Sequence, residues 1–231
     1  MALAIKKTSD FDPSTVNFSN FRKNKNGGKA VYLSGPGNQK LFIQFPFMRA
    51  PFGLSQFTDD ATKKVSYSLD LSFDLASSDP EISDLFKKMK ALDETVIDMV
   101  AKNSQEWLGK KYAVPVIREA LYKPLVRPGK GDYPATIKLK ILLDSHGEFV
   151  PEAYNHQRDK VSMSSIEKGQ KICTIVDINQ IWFIDNKFGV SIRLHQCLLE
   201  PSKRLPAFAF QGIEVPETEE ETGEFDDEGE F

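Results

Sequence analysis

Apolar and polar residues alternate with a period of two along much of this chain, a pattern typical of strands. In residues 135–143, aliphatic side chains fall on one face, and Thr136, Lys138 and Lys140 fall on the other. Similar runs, some of them short, predict strands at 15–22, 29–34, 39–47, 64–75, 135–143, 171–178 and 188–195. Asp185–Asn186 lies between two apolar runs and has the composition of a hairpin turn.

Residues 79–103 break this pattern and have helical spacing instead. Ser78 or Asp79 can cap the first turn, and Pro80 suits its first helical position. Apolar residues then recur every three or four positions, at Ile82, Leu85, Phe86, Met89, Leu92, Val96 and Val100. We interpret this stripe as a packing surface and not as a ligand site.

The order of these elements favours a mainly β protein. The first candidate is an OB-fold-like antiparallel barrel with one inserted long helix, and a sandwich is the second. Loops are predicted at 51–63 and in the Pro- and Gly-rich run 123–134. In 39–47, alternation places Leu41, Ile43, Phe45 and Phe47 on one face and Lys40, Phe42 and Gln44 on the other.

The composition is that of an ordinary soluble protein, with 40% hydrophobic and 27% charged residues in 231. No apolar run approaches the roughly 18 residues that a membrane span needs, and the N-terminus lacks the apolar stretch of a secretory signal. Two Cys without a leader favour free thiols in a reducing compartment. We therefore expect an intracellular protein that is not secreted and does not contact a membrane.

Charge divides the chain into two unlike parts. Residues 214–231 hold ten acidic residues and no Lys or Arg, whereas the rest holds 30 basic and 23 acidic residues, a net charge of +7. This predicts a folded domain at 1–213 and a disordered acidic tail at 214–231. The alternative is a tail that serves only solubility, but such a segment does not need the Phe side chains that this tail contains. Its candidate partner-binding residues are Phe225, Asp226, Asp227, Glu228, Glu230 and Phe231.

The sequence contains no motif for catalysis or metal binding. It lacks Cys-x-x-Cys and His-Glu-x-x-His spacings, and Gly35-Pro36-Gly37 lacks the Gly-Lys-Ser/Thr that completes a phosphate-binding loop. His195 has no evident nucleophile or acid as partner, so we interpret it as a surface residue. No enzymatic activity, cofactor or metal is expected.

Cations and aromatic rings are interleaved on the predicted polar faces, which favours binding of single-stranded nucleic acid. Cations neutralise phosphates, and rings stack on unpaired bases at about 1–3 kcal/mol each, with little dependence on sequence. Trp182 and Phe183 are consecutive in a strand, so one faces outward, and Trp182 is the better stacking ring. The candidate DNA-binding residues are Lys40, Phe42, Tyr122, Lys123, Arg127, Lys130, Tyr133, Lys138, Lys140, Trp182 and Arg193.

A basic domain followed by an acidic tail that ends in Phe resembles the replicative single-stranded DNA-binding proteins of short-tailed phages. The segment "GQKICTIVDINQIWFIDNKFGVSIRLHQCLL", residues 169–199, is similar to a strand–hairpin–strand unit of that family. Residues 135–142 are similar to one of its barrel strands. The run from Tyr122-Lys123-Pro124 to "YPATIKLKI" looks more like the branch found in nucleocytoplasmic large DNA viruses. The likeness covers roughly the C-terminal half and the tail.

The resemblance implies an OB-fold, no catalytic activity and, frequently, a homodimer. It also implies a tail that binds the replicative DNA polymerase and the helicase/primase. Phe231 matches the terminal Phe of the family, and Lys138 and Lys140 match positions that line the binding groove. This tail is shorter and less acidic than the phage version.

The favoured function is therefore coating of single-stranded DNA in viral DNA replication, recombination and repair, at a viral replication site in the nucleus or cytoplasm of the host cell. The acidic tail would compete with DNA and recruit replisome proteins. An acid-tailed protein-binding module or chaperone for basic proteins is the alternative, and an RNA-binding OB protein is a third reading. Deletion of the tail separates the first two, because a chaperone loses its function whereas a single-strand binder binds more tightly.

Overall fold

The computed structural model describes residues 4–23, 28–201 and 209–212. Its strands are β1 (Ile5–Lys7), β2 (Asn17–Phe18), β3 (Arg22–Lys23), β4 (Lys29–Ser34), β5 (Phe42–Arg49), β6 (Leu54–Thr58), β7 (Val65–Ser72), β8 (Tyr122–Lys123), β9 (Val126–Arg127), β10 (Thr136–Ile141), β11 (Glu152–Tyr154), β12 (Lys160–Val161), β13 (Lys171–Ile184) and β14 (Lys187–Leu199). The helices are α1 (Pro80–Lys102), α2 (Ser104–Trp107) and α3 (Val114–Val116), followed by a π turn at Ile117–Leu121. Short 3-10 turns lie at Thr8–Asp10, Pro13–Thr15, Pro36–Asn38 and Met163–Ser165. The prediction of a mainly β protein with one long helix is confirmed.

Five strands form a closed ring in the order β5–β7–β10–β14–β13 and back to β5. Four of the junctions are antiparallel, but β10 and β14 run parallel, with Lys140 opposite Arg193. The expectation of a purely antiparallel arrangement is therefore wrong at this junction. The reason is geometric, because an odd number of strands cannot close into a ring with every neighbour antiparallel.

The inside of the ring is filled by the apolar side chains that alternation predicts. In β10, Ile137 and Leu139 are fully buried, whereas Lys138 and Lys140 are exposed. Every strand of the ring contributes to this core, with Ile43, Phe45, Leu69, Leu71, Ile137, Leu139, Val176, Ile178, Ile192 and Leu194. The hairpin of β13 and β14 turns at Asp185–Asn186, where both residues have positive φ, as the predicted turn requires.

Two predicted loops contain strands. Residues 51–63 include β6, which pairs antiparallel with β7 from Leu54 opposite Leu69 to Thr58 opposite Val65. Residues 123–134 include β9, which pairs with β10. Alternation fails for β6 because most of this strand is exposed, and Leu54, at its start, is the residue of β6 that packs against the core. The strand expected at 15–22 is also interrupted, as β2 and the start of β3.

Strand β5 departs from strict alternation at its end. Phe47 was expected to face the core, but it is 36% exposed, and Met48 is buried in its place. The pairing of β13 with β5 shifts register between Ile172 and Thr174. Such an irregularity changes which side chains face inward, and the sequence pattern alone does not reveal it.

Helix α1 packs its apolar stripe against the protein core, as predicted. The Asp79 side chain caps it by accepting hydrogen bonds from the amides of Glu81 (2.9 Å) and Ile82 (3.2 Å). The side chains of the stripe from Ile82 to Val100 are buried, apart from the partly buried Phe86. Within the described ranges, no helix has both the length and the apolar character that crossing a membrane requires.

Asp93 is a buried carboxylate of α1 that holds the segment leading to β9. It accepts hydrogen bonds from the Tyr122 hydroxyl, from the Leu125 amide (2.9 Å) and, more weakly, from the Val126 amide (3.4 Å). Burial raises the pKa of Asp93, and these hydrogen bonds partly oppose the rise. Helix α1 is therefore linked to the chain that carries Arg127.

Replacing Asp93 by Ala should lower the free energy of unfolding by about 2–4 kcal/mol, because the Tyr122 hydroxyl and the Leu125 amide lose their acceptor in a buried site. Asp93→Asn retains an acceptor oxygen and should cost about half as much or less. Chemical denaturation measures both variants. An Ala variant as stable as the wild type would contradict this anchoring role.

Candidate functional site

A groove of about 590 Å³ lies where three parts of the structure meet. They are the antiparallel pair of β6 and β7, named the β6–β7 arm, strand β10 and the β13–β14 hairpin. Strands β7 and β10 contribute polar side chains of their outer faces, the arm contributes Phe57, and the hairpin contributes Trp182. The groove is lined by Gly28, Lys29, Phe57, Ser66, Tyr67, Ser68, Arg127, Lys138, Lys140, Gln180, Trp182, Phe183, Ile184, Val190, Ser191 and Ile192. Its position follows from the ring, which brings strands distant in sequence to one face.

The groove is positively charged. Of the described residues, Lys29, Arg127, Lys138 and Lys140 bring cations to its lining. Lys138 is partly neutralised, because its Nζ lies 3.7 Å from Oδ2 of the nearly buried Asp70. Burial lowers the pKa of Lys140, and so do the positive charges of Arg193 and Lys64. Cations thus crowd around Lys140, and a bound anion would be stabilised there.

Aromatic rings lie beside these cations. Phe57 is 65% exposed although it is one of the most apolar side chains of the arm. Trp182 is partly exposed and packs on its cross-strand neighbour Gly189, where an added Cβ would lie only 2.8 Å from the indole ring. Tyr67 packs edge-on against Phe149, with ring centroids 4.9 Å apart. An exposed ring at a fixed position, next to a cation, offers a stacking surface for a planar ligand.

The structure places four of the predicted site residues in this groove: Arg127, Lys138, Lys140 and Trp182. As alternation predicts, Phe183 is buried, whereas Trp182 is partly exposed. Arg193 lies beside Lys140 in the strand register. Lys123 lies next to the hairpin. Its carbonyl oxygen is so close to Gly189 that a Cβ added to this glycine would lie 3.0 Å from it.

Two predicted site residues are corrected. Tyr122 is only 6% exposed, and its hydroxyl donates to Asp93 within the protein. Phe42 is also 6% exposed, because the ring of His195 covers it edge-on with the centroids 4.9 Å apart. A polar-face position in a strand does not ensure exposure when neighbouring side chains lie over it.

The other predicted residues lie outside the groove lining or outside the described residues. Lys130 and Tyr133 are exposed in the loop before β10, and Tyr133 is 79% exposed. Lys40 is exposed just before β5. The predicted tail residues, Phe225, Asp226, Asp227, Glu228, Glu230 and Phe231, lie outside the described residues.

Sequence reasoning missed Phe57, Tyr67 and Lys29. Phe57 fell in a predicted loop, and Tyr67 alternates with Leu69 and Leu71, which are buried in the core. The outer end of the arm is exposed, with Phe57 at 65% and Val65 at 37%, whereas Leu54 and Tyr67 are partly buried and pack against the core. The available signal was the turn residues Asp59 to Lys64 between two strand-like runs, which are typical of a hairpin.

Among the described residues that line the groove, none is Asp, Glu, His or Cys. In the part of the chain that the structure describes, no group of three or more His, Cys, Asp or Glu side chains could hold a metal ion. Cys173 and Cys197 are free thiols, as expected. The His195 side chain is 38% exposed, with its Nε2 4.0 Å from Oδ2 of Asp177.

The model of a family described as of unknown function, DUF5871, matches residues 62–211. The uncharacterized protein L291 of Acanthamoeba polyphaga mimivirus is 23% identical over 161 residues, which are 68% of this chain and 26% of that protein. The chain therefore spans about a quarter of the length of this relative.

Two solved structures of phage proteins are similar at low identity. The single-stranded DNA-binding protein gp2.5 of bacteriophage T7 has 13% identity and a TM-score of 0.45, over 76% of this chain and 98% of that chain. The single-stranded DNA-binding protein of bacteriophage Enc34, in complex with single-stranded DNA, has 10% identity and a TM-score of 0.41, over 81% and 97%.

Proposed function

The chain belongs to the DUF5871 family, and we propose that it binds single-stranded DNA, without sequence preference, in the groove between the β6–β7 arm and the β13–β14 hairpin. The observation that carries this proposal is the joint lining of one groove by four cations and the rings of Phe57, Tyr67 and Trp182. Cations bind the phosphates, and exposed rings stack on bases that no partner strand covers.

The position of the groove supports an OB-fold barrel as the architecture. Counted along the chain, the ring strands β5, β7, β10, β13 and β14 are the first to the fifth. OB-folds bind oligonucleotides on the face of their second and third strands, flanked by the loops between strands one and two and between strands four and five. Here these are the outer face of β7 and β10, the β6–β7 arm and the Asp185–Asn186 hairpin.

A competition titration tests the proposed ligand. Fluorescent oligo-dT is bound to the full chain and displaced by unlabelled single-stranded DNA of mixed sequence, by RNA of equal length or by duplex DNA. Single-stranded DNAs should compete equally well, and duplex should compete poorly, because its bases are already stacked. Duplex competing as well as single strands would contradict stacking in the groove, and stronger competition by RNA would make RNA the ligand.

The biological role belongs to the same proposal. We propose that the protein acts in viral DNA replication, recombination and repair inside the host cell, and the mimivirus relative supports a viral setting. We also propose that the chain consists of a DNA-binding domain at 1–213, capable of forming a homodimer, and an acidic tail at 214–231. The tail would occupy the groove until DNA displaces it, and would then bind the replicative polymerase and the helicase/primase.

Truncation after Ile213 should strengthen binding of oligo-dT about fivefold at low salt, and less at high salt. The tethered carboxylates are present at an effective concentration in the millimolar range and compete with DNA through screened contacts, at a cost of about 1 kcal/mol. Titrations at two salt concentrations measure this. Weaker binding after truncation would contradict competition by the tail.

Phe231→Ala separates the charge of the tail from its aromatic side chain. DNA affinity should be unchanged, because the carboxylates remain, whereas capture of the polymerase or helicase should fall sharply. Retention of every partner would leave the tail with a role in solubility only. A chaperone for basic proteins, the alternative function, would lose its activity when the tail is removed.

A further inference from the structure

We propose that Lys40 and Arg193 form a second phosphate-binding site, named the rear cluster, which extends the path of the bound strand beyond Lys140. The inference rests on the proposed function, because it assigns a further part of the same DNA to a further part of the surface. The rear cluster lies on the outer face of β13 and β14, next to the start of β5.

The rear cluster is continuous with the groove. Lys140, which lines the groove, is opposite Arg193 in the parallel pairing of β10 and β14. Arg193 is in turn opposite Asp177 of β13, and Asp177 is opposite Phe42 of β5. Side chains of paired residues project from the same side of a sheet. One row therefore leads from the groove across four strands.

Arg193 is the central group of the rear cluster. Its Nε is buried and has no hydrogen-bond partner among the described residues. It also forms no ion pair within 4.0 Å in that part of the chain. A buried donor without an acceptor is unfavourable. Arg193 as a whole is partly exposed, and a phosphate oxygen is a suitable acceptor for its guanidinium group, because Arg binds phosphate through charge-assisted hydrogen bonds.

The surroundings of Arg193 leave excess positive charge. His195 and Lys40 both lie against the ring of Phe42, the Lys40 Nζ at 5.9 Å from its centroid. Asp177 is the carboxylate that faces them, and it is 4% exposed. Burial lowers the pKa of His195. The negative charge of Asp177 opposes this shift, and the positive charges of Lys40 and Arg193 add to it. The buried Asp177 carboxylate is thus the negative charge that faces Arg193 and Lys40, and Lys140 lies one strand further away. The positive charges therefore outnumber it.

The chemistry of this surface selects the DNA backbone and not the bases. The ring of Phe42 is covered, so it offers no stacking face. The rear cluster therefore binds phosphates of nucleotides whose bases point away from the protein. Such a site increases affinity for strands long enough to leave the groove and adds nothing for strands that end within it.

The test compares oligo-dT of about 4 and about 16 nucleotides, the range of site sizes of OB-folds. The variant carries Lys40→Ala and Arg193→Gln, which removes two charges and keeps a polar side chain at 193. Its matched control carries Lys87→Ala and Lys111→Gln, which removes two charges from exposed positions that line neither site. Thermal denaturation of both variants verifies the fold.

The rear-cluster variant should bind the long oligonucleotide about tenfold more weakly than the control, with a salt slope reduced by about 1.4, and bind the short one equally well. Unchanged affinity for the long strand would overturn the inference and leave the groove proposal intact. An equal loss for both lengths would also overturn it, because the residues would then belong to the groove itself. Failure of the wild type to bind either length would overturn both proposals.

Discussion

Replacing Arg127 and Lys140 together by Ala should weaken binding of oligo-dT about 10- to 100-fold at low salt and reduce the slope of log affinity against log salt by about 1.4. Both side chains are exposed and line the groove from different strands. The melting temperature should stay close to that of the wild type, because Lys140 is surrounded by other cations and its removal relieves repulsion. Fluorescence anisotropy over a salt series measures the effect.

Lys138 is left in place in this experiment for a structural reason. Its Nζ is the ion-pair partner of Asp70, and Lys138→Ala would leave that nearly buried carboxylate unpaired. The matched comparison is Lys123→Ala with Lys130→Ala, two exposed positions outside the groove lining. A larger loss in that pair than in Arg127 and Lys140 would place the DNA elsewhere on the surface.

The second large effect should come from the aromatic rings. Phe57→Ala and Trp182→Leu should each weaken single-strand binding by about 1–3 kcal/mol, roughly 5- to 150-fold, because each removes a stacking surface. Phe52→Ala is the matched control, since Phe52 is 57% exposed but does not line the groove. Equal affinities in all three variants would contradict stacking.

Tryptophan fluorescence tests Trp182 separately from affinity. Oligo-dT should quench the emission of the wild type and of Trp107→Phe, because Trp107 is only 5% exposed and packs edge-on against Phe183. In Trp182→Phe the quenching should disappear. Persistence of the quenching in Trp182→Phe would show that the ring does not contact DNA.

The sequence predicts the part of the fold in which one face of each strand is buried. Strand β10, the β13–β14 hairpin with its turn, and helix α1 all follow from the spacing of their apolar residues. The prediction fails for β6, because most of that strand is exposed and its two large apolar residues, Leu54 and Phe57, are three positions apart and do not alternate. The parallel junction of β10 and β14 was missed for another reason, since it follows from ring closure and not from any local pattern.

The residues of the candidate site also differ in whether the sequence predicts them. Lys138, Lys140 and Trp182 are recognisable because they alternate with buried neighbours in regular strands. The place of Phe57 in the groove depends on how the arm packs beside β10 and the β13–β14 hairpin, and Tyr122 is held in a buried position by Asp93, 29 residues earlier in the chain. Contacts between distant segments decide these cases, and a single sequence does not display them.

The most direct test of the central claim is the salt dependence of oligo-dT binding to the full chain. With three or four phosphate contacts in the groove, log affinity should fall against log salt with a slope of about −2 to −3, and about −4 when a long strand also reaches the rear cluster. Tight binding with a slope near zero, or no binding at low salt, would contradict a cationic groove for single-stranded DNA.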